Sequence, residues 1–425
     1  MNPAAAFLSQ YFWPEETATA EMVSGVAFEL AARGICVEAI AGQPAYHGAG
    51  RLPRVIRERG VTVRRVWSTQ WDKNRSIGRV VNTATFTASA FGTTLLSRKL
   101  GVVVAVTNPP LLPWVARLVR FIRRTPYILL IHDVYPQIAV ALGRVRSGSL
   151  IDRSWRMLNR LAYRGAAAII ALGECMADVL RAELPPEQAA KVVVIRNWAD
   201  GERIRPLPRS ENPLIAEWGL QDRFAVQYSG NIGLFHEIET LVEAAEKLRG
   251  SDIQFIFVGD GGQLPWLRKA VDERPLSNVT LLPFQPKEKL PVTLTACDVG
   301  LVTLKKEATG YCVPSKFYGI VAAGKPVIAV MEERCEIAQA VRRHGCGEVV
   351  RPGDGEGLAN AILRLRGDPA RLEQMAKAAR QAYEAHYTVE HIAEQYARLL
   401  AGILPATVPG GVTGRSSAAA KFPDV

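Results

Sequence analysis

Cysteine is scarce in this chain of 425 residues. Its six copies, Cys36, Cys175, Cys297, Cys312, Cys335 and Cys346, are scattered and form no C-x-x-C pair. That spacing excludes a disulfide framework and offers no zinc-ribbon pattern, so reduced thiols in a cytosolic protein are expected. The opening MNPAAAFLSQYFWPEE joins no basic stretch to an apolar run, and no secretory leader is expected. No stretch reaches about 18 uninterrupted apolar residues, which leaves no spanning helix to expect. Helix-turn-helix, zinc-finger and RNA-recognition patterns are missing, which argues against nucleic acid as a partner. Acidic residues are scarce in one window. Residues 51–150 hold 17 Lys and Arg against Glu58, Asp72 and Asp133, a net of +14 where the whole chain carries +11. A one-sided basic surface points to an anionic partner such as a lipid surface or a phosphorylated substrate.

The chain is 48% hydrophobic and 22% charged, the balance of a folded protein, and its length suits two domains of about 150–200 residues. Short β-branched runs alternate with segments of helical length. Strands are expected at Val102–Thr107, Tyr127–Ile131, Ala167–Leu172 and Val192–Ile195. A second set follows at Phe224–Ser229, Ile253–Val258, Val279–Leu282, Val299–Thr303 and Val327–Val330. Helices are expected over Leu111–Arg124, Glu237–Leu248, Leu264–Asp272 and Val389–Leu400. Apolar strands separated by helices are parallel strands covered on both faces. The fold class is therefore α/β, with two doubly wound, Rossmann-like domains and a ligand cleft outside the strand ends. The proline-rich stretch DGERIRPLPRSENP marks the boundary. Residues 1–199 form the first domain and 200–385 the second, and the Pro-, Gly- and Ser-rich residues 405–425 read as a disordered tail.

Four motifs sit at strand ends and a fifth at a helix start. Tyr228-Ser-Gly-Asn-Ile-Gly233 is either a phosphate-binding turn, with Gly230 and Gly233 admitting backbone amides, or a plain tight turn. Val258-Gly-Asp-Gly-Gly262 reads first as a structural turn, with Asp260 capping it or the next helix. In Cys312-Val-Pro-Ser-Lys-Phe-Tyr-Gly319, Pro314 and Ser315 start a helix and Lys316 falls in its first turn, where a cation is unfavourable unless an anion such as a diphosphate joins it or the lysine simply reaches solvent. Ile131-His-Asp-Val-Tyr-Pro136 offers His132 as a proton shuttle, a hydroxyl binder or a packed structural residue. Arg196-Asn-Trp-Ala-Asp200 offers Arg196 to an anion and Asn197 to a sugar, or a cap for the hinge. The segment LLPWVARLVRFIRR, together with Arg51, Arg54, Arg57, Arg59, Trp67, Trp71 and Lys73, suits an anionic membrane surface, or is an ordinary core-packing helix with a basic outer face.

The order HDVYPQIAVALG, VIRNWAD, YSGNIG, FVGDGG and VPSKFYGIVAAGKPVIAV resembles the retaining glycosyltransferases of family 4, with the GT-B fold, nearest the bacterial surface-polysaccharide branch of fucosamine and colanic-acid transferases. The resemblance runs from about Phe7 to Leu400. It implies a nucleotide sugar with a uridine base, held by the second domain, and a lipid-linked or oligosaccharide acceptor held by the first, at the inner face of the plasma membrane. It implies His132 and Lys316 as catalytic residues. Glu15, Thr17, Arg196, Asn197, Gly230, Asn231, His236, Gly259, Pro283, Phe284 and Ser315 are implied as substrate-binding. It also implies that residues 386–404 cross back to the first domain. No cofactor is implied, and with no D-x-D pair at a strand end, metal independence is expected. Three features depart from the family: Tyr311 and Gly319 stand where many members carry a pair of glutamates, Asn231 and His236 stand where an Arg and a Lys are typical around the glycine turn, and the N-terminal loop PEETATAE lacks the usual glycines. A sugar-nucleotide 2-epimerase and a non-catalytic nucleotide-sugar-binding protein are the alternative functions.

Overall fold

The computed structural model describes residues 4–43, 52–71 and 76–404. The first sheet holds β1 (Ala4–Leu8), β2 (Val37–Ala41), β3 (Val55–Glu58), β4 (Val61–Arg65), β5 (Leu100–Val106), β6 (Tyr127–Leu130), β7 (Ala168–Ala171) and β8 (Val192–Val194), in the order β3-β4-β2-β1-β5-β6-β7-β8. The second holds β9 (Phe224–Ser229), β10 (Ile253–Val258), β11 (Val279–Leu282), β12 (Val299–Thr303), β13 (Val327–Val330) and β14 (Gly347–Val350), in the order β11-β10-β9-β12-β13-β14. Every pairing is parallel except β3 with β4. Central strands such as β10 (IQFIFV) are buried on both faces, which is why they read as unbroken apolar runs.

Sheet order places the helices. From β1 the chain steps one way to β2 and the other way through β5, β6 and β7, and right-handed crossovers then put the connecting helices on opposite faces. Helices Ser76–Leu96, Leu112–Arg123 and Leu150–Gly165 pack side by side on one face. Helix Ala18–Ala32 lies on the other, where helix Val389–Ala401 packs on it after the chain has left the second lobe. Ile392, Tyr396 and Leu400 are buried in the first lobe's core, at about 1.5–3 kcal/mol for each large apolar side chain. The outgoing and returning chains are stitched together. Ala199 N donates to Tyr387 O at 3.1 Å, and Tyr383 Oη donates to Ala199 O at 3.0 Å.

Several expectations are corrected. Strands β1 to β4 and β14 were not anticipated. Helix Glu239–Lys247 starts two residues later than expected, so Gly233 and Phe235 belong to a loop and not to a helix start. Arg57 lies on β3 and Arg59 in the tight turn to β4, so part of the basic run is an antiparallel hairpin at the sheet edge. Arg51, Lys73 and the tail 405–425 lie outside the described residues.

Candidate active site

Two glycine turns at the ends of β9 and β10 lean on each other. Gly230 N donates to Val258 O at 2.8 Å and Gly259 N to Leu282 O at 3.0 Å. Gly259 sits at φ +141°, and a Cβ there would stand 2.1 Å from Gly230 O. Only glycine fits, so Gly259 supports the Gly230 turn from behind and does not line the cleft. Ile232 N is committed to Asp260 O, whereas the amides of Asn231 and Gly233 meet no protein acceptor among the described residues. Asp260 caps its own turn through Gly261 N, at 2.7 Å, and leaves helix Leu264–Glu273 without a side-chain cap.

Lys316 opens helix Lys316–Ala322, and the hydroxyl of Ser315 makes no cap bond to it. The lysine reaches across to β9. Its Nζ lies 3.2 Å from His236 Nε2 and 4.9 Å from the centre of the Tyr228 ring. His236 Nδ1 lies 2.9 Å from Thr303 O. A carbonyl can only accept, so Nδ1 carries the proton and Nε2 accepts from Lys316. Burial, then the adjacent ammonium, hold the His236 imidazole down at about 3. Burial also lowers Lys316, to about 7, with Cys312 opposing. His236 is thus a neutral acceptor behind Lys316, not a second cation beside it.

In the first lobe, the amides of His132 and Asp133 donate to Thr107 Oγ1 at 2.9 and 3.4 Å. Asp133 forms an antiparallel bridge with Cys312, and Val134 N donates to Tyr311 O at 2.8 Å. The loops carrying His132 and Lys316 therefore meet backbone to backbone across the lobes. His132 lines a small cavity with Met22, Arg196, Asn197 and Trp198. Its Nε2 is buried without a protein partner, and burial holds the imidazole at about 4, so it is neutral at pH 7. Burial pushes the Asp133 carboxyl up to about 6.

Between the lobes lies an open cleft lined by side chains of both lobes. Of the expected residues it gathers Gly230, Phe284, Ser315 and Lys316. Met22 and Trp198 form a shared wall with the His132 cavity. Pro283, Asn231 and His236 flank the cleft from adjoining positions. Arg196 is a correction as a phosphate donor. Its Nε donates to Glu336 Oε1 at 2.7 Å, so its charge is committed to a carboxylate of the second lobe. Thr17 caps helix Ala18–Ala32, its hydroxyl accepting from Ala20 N at 3.2 Å, one residue ahead of Ala18 in the cleft lining. Glu15 is buried beside Arg65, outside the cleft lining. The cleft also holds residues that the sequence did not single out. Glu21 accepts from Arg203 at 3.0 Å and pairs with Lys287 at 3.6 Å. Thr293 Oγ1 is buried without a partner. Both occupy ordinary helical positions and carry no sequence signal. Gly319, where a family carboxylate is missing, leaves the floor open beside Leu294.

Two Rossmann-like lobes facing each other across a cleft, with Lys316 at the foot of a glycine turn, have the GT-B glycosyltransferase architecture. Residues 17–198 match the glycosyl transferase 4-like domain, and residues 214–382 match glycosyl transferases group 1. The chain is 32% identical to the "Probable glycosyltransferase WbjE" of Pseudomonas aeruginosa over 295 residues, 68% of this chain and 72% of that one. It is 29% identical to a colanic acid biosynthesis glycosyl transferase, WcaI of Escherichia coli, over 224 residues, 52% of this chain and 49% of that one. Sucrose-phosphate synthase from Thermosynechococcus elongatus superposes with a TM-score of 0.74 at 20% identity, covering 94% of this chain and 99% of that one. HepE of Anabaena, solved in complex with UDP, superposes at 0.69 and 19%, covering 94% and 100%. This chain belongs to glycosyltransferase family 4, and it is an enzyme of the GT-B fold.

Proposed function

We propose that the enzyme transfers a hexosyl or N-acetylhexosaminyl group from a nucleotide diphosphate sugar, with uridine as the base, to a lipid-linked or oligosaccharide acceptor in cell-surface polysaccharide biosynthesis. The observation that carries this reading is Lys316 in the inter-lobe cleft with Gly230 and Ser315, a basic side chain beside glycine-lined backbone, a setting that suits a diphosphate. The leaving nucleoside diphosphate gains negative charge in the transition state. Lys316 and the uncommitted amides of Asn231 and Gly233 would stabilise that charge, so the reaction would proceed without a metal. Attack on the donor face vacated by the diphosphate would retain the anomeric configuration, and the departing phosphate would take the acceptor proton. Neutral His132 would hydrogen-bond a hydroxyl of the transferred sugar or the acceptor. Phe284, half-exposed at the cleft rim beside Gln285, would cover the base.

The first lobe supports a peripheral position on the inner membrane face. Among the described residues no helix is long and apolar enough to cross a membrane. Instead, the three side-by-side helices expose Ile77, Val80, Phe121, Leu150 and Ile151, interspersed with Arg117, Arg120 and Arg153. Apolar side chains among arginines suit an anionic bilayer, where insertion and charge attraction add. The test is a transfer assay with UDP sugars and polyprenyl-diphosphate-linked acceptors, with the product anomer assigned by NMR. Retained configuration with a UDP sugar is expected. An inverted product, or isomerised donor formed without acceptor, overturns the reading.

A further inference from the structure

We infer that His236 is the positioning residue for the donor-binding ammonium: its unprotonated Nε2 holds Lys316 Nζ at the Gly230 turn, and the diphosphate then completes a site that carries a single positive charge. This rests on the reading of Lys316 as the diphosphate ligand.

The chain of contacts runs in one direction. Thr303 O accepts from His236 Nδ1, which fixes the tautomer, and Nε2 is left as an acceptor aimed at Lys316. The ring cannot turn away. It is 4% exposed, it packs against Tyr228 and Phe235, and its own carbonyl accepts from the buried Gln263 side chain at 2.9 Å. The lysine stem runs over Gly230, where an added Cβ would meet Lys316 Cε at 3.2 Å. Its Nζ is thereby trapped between an imidazole, an aromatic face and the mouth of the cleft. A carboxylate at the position of His236 would neutralise the ammonium, and a second permanent cation would repel it. A neutral acceptor does neither, and the remaining Nζ hydrogens stay directed at an incoming anion.

The groups facing Lys316 are Tyr228 from β9, His236 from the following loop and Cys312 from the loop ahead of its helix. Asp133 of the first lobe stands next, beside Cys312. Among the described residues no carboxylate forms an ion pair with Lys316, and burial favours its neutral amine. A bound diphosphate supplies the missing anion and draws a proton onto Nζ. Donor binding near neutral pH therefore takes up a proton.

Two measurements test this. Histidine-selective nitrogen-15 spectra of the ligand-free enzyme should show His236 as the Nδ1–H tautomer, without titration between about pH 5 and 8. An Nε2–H tautomer, or a midpoint near 6.5, overturns the proposal. Calorimetry with UDP-glucose, whose diphosphate does not titrate in this range, in buffers of different ionisation enthalpy should show proton uptake near pH 7–8. The uptake should vanish in Lys316→Met and persist in Asp133→Asn; the reverse pattern overturns the proposal. His236→Leu should weaken UDP-glucose binding about tenfold, the scale of a lost charge-assisted hydrogen bond, and His236→Gln should restore most of it. Equal loss in both variants makes the role merely structural. If no nucleotide sugar binds, the reading of Lys316 as diphosphate ligand fails, while the spectra still decide the pairing.

Discussion

Glu336 of the second lobe bridges Arg196 and the backbone of Glu174 in the first, with Oε1 at 2.7 Å from Arg196 Nε and Oε2 at 2.9 Å from Glu174 N. The carboxylate is nearly buried, and the guanidinium is mostly so. Removing one partner strands the other, which is costlier than the pair is stabilising. Glu336→Gln and Arg196→Met should each lower unfolding stability by about 2 kcal/mol, and the double variant by less than the sum. Donor KM should change little. A tenfold rise in donor KM with stability unchanged would return Arg196 to the substrate site.

Lys316→Ala removes the cleft's ammonium and should cut kcat/KM by about a hundredfold or more, the usual scale for a donor to developing oxyanion charge. A loss below about threefold, in steady-state transfer assays with folding checked by circular dichroism, defeats that assignment.

Gly259→Ala should lower Tm and weaken nucleotide binding together, because the new methyl group drives into Gly230 at an unfavourable φ. Gly219→Ala is the control: its φ is +66° but nothing lies within 4 Å of the added carbon. A Tm drop in the control equal to that of Gly259→Ala would show that backbone strain alone is responsible.

Acidification should destabilise the enzyme through its buried imidazoles. His132 and His236 have folded pKa values of about 4 and 3, below the unfolded 6.5, so the unfolded chain binds more protons between those values. Stability is therefore highest above about pH 7 and falls as pH drops towards 4. Each histidine should contribute roughly 1 kcal/mol of loss by pH 5.5. Urea unfolding at about pH 7 and pH 5.5 checks this, and His132→Phe should remove the share of one histidine, with His344, also held at about 4, and His236 supplying further loss.

Phe121→Ser combined with Leu150→Ser should abolish sedimentation with anionic vesicles at low salt, leaving transfer to a soluble acceptor analogue intact. Wild-type attachment should weaken as salt screens the arginines. Attachment of the variant equal to wild type would place the contact elsewhere.

The second lobe was nearly complete in the sequence because β9 to β13 are apolar runs of five or so residues between helices. The first lobe was half hidden. β1 is AAAFL, in which alanine carries little strand signal, and β3 and β4 intersperse their apolar residues with arginines. At the site, Gly230, Ser315 and Lys316 were legible because strand-end glycines and a misplaced helix-start cation are local anomalies. The commitment of Arg196 to Glu336 was not legible, since the two lie 140 positions apart. The role of His236 depended on a carbonyl, Thr303 O, that no side-chain pattern reports.

The helix Val389–Ala401 lies far along the chain yet completes a face that forms near its beginning. Until it emerges, the face of Ala18–Ala32 that it covers has no partner, so an early fragment ending near residue 200 carries an open apolar seam. Expression of the amino-terminal half alone should give aggregates, and supplying the carboxy-terminal half in trans should rescue it.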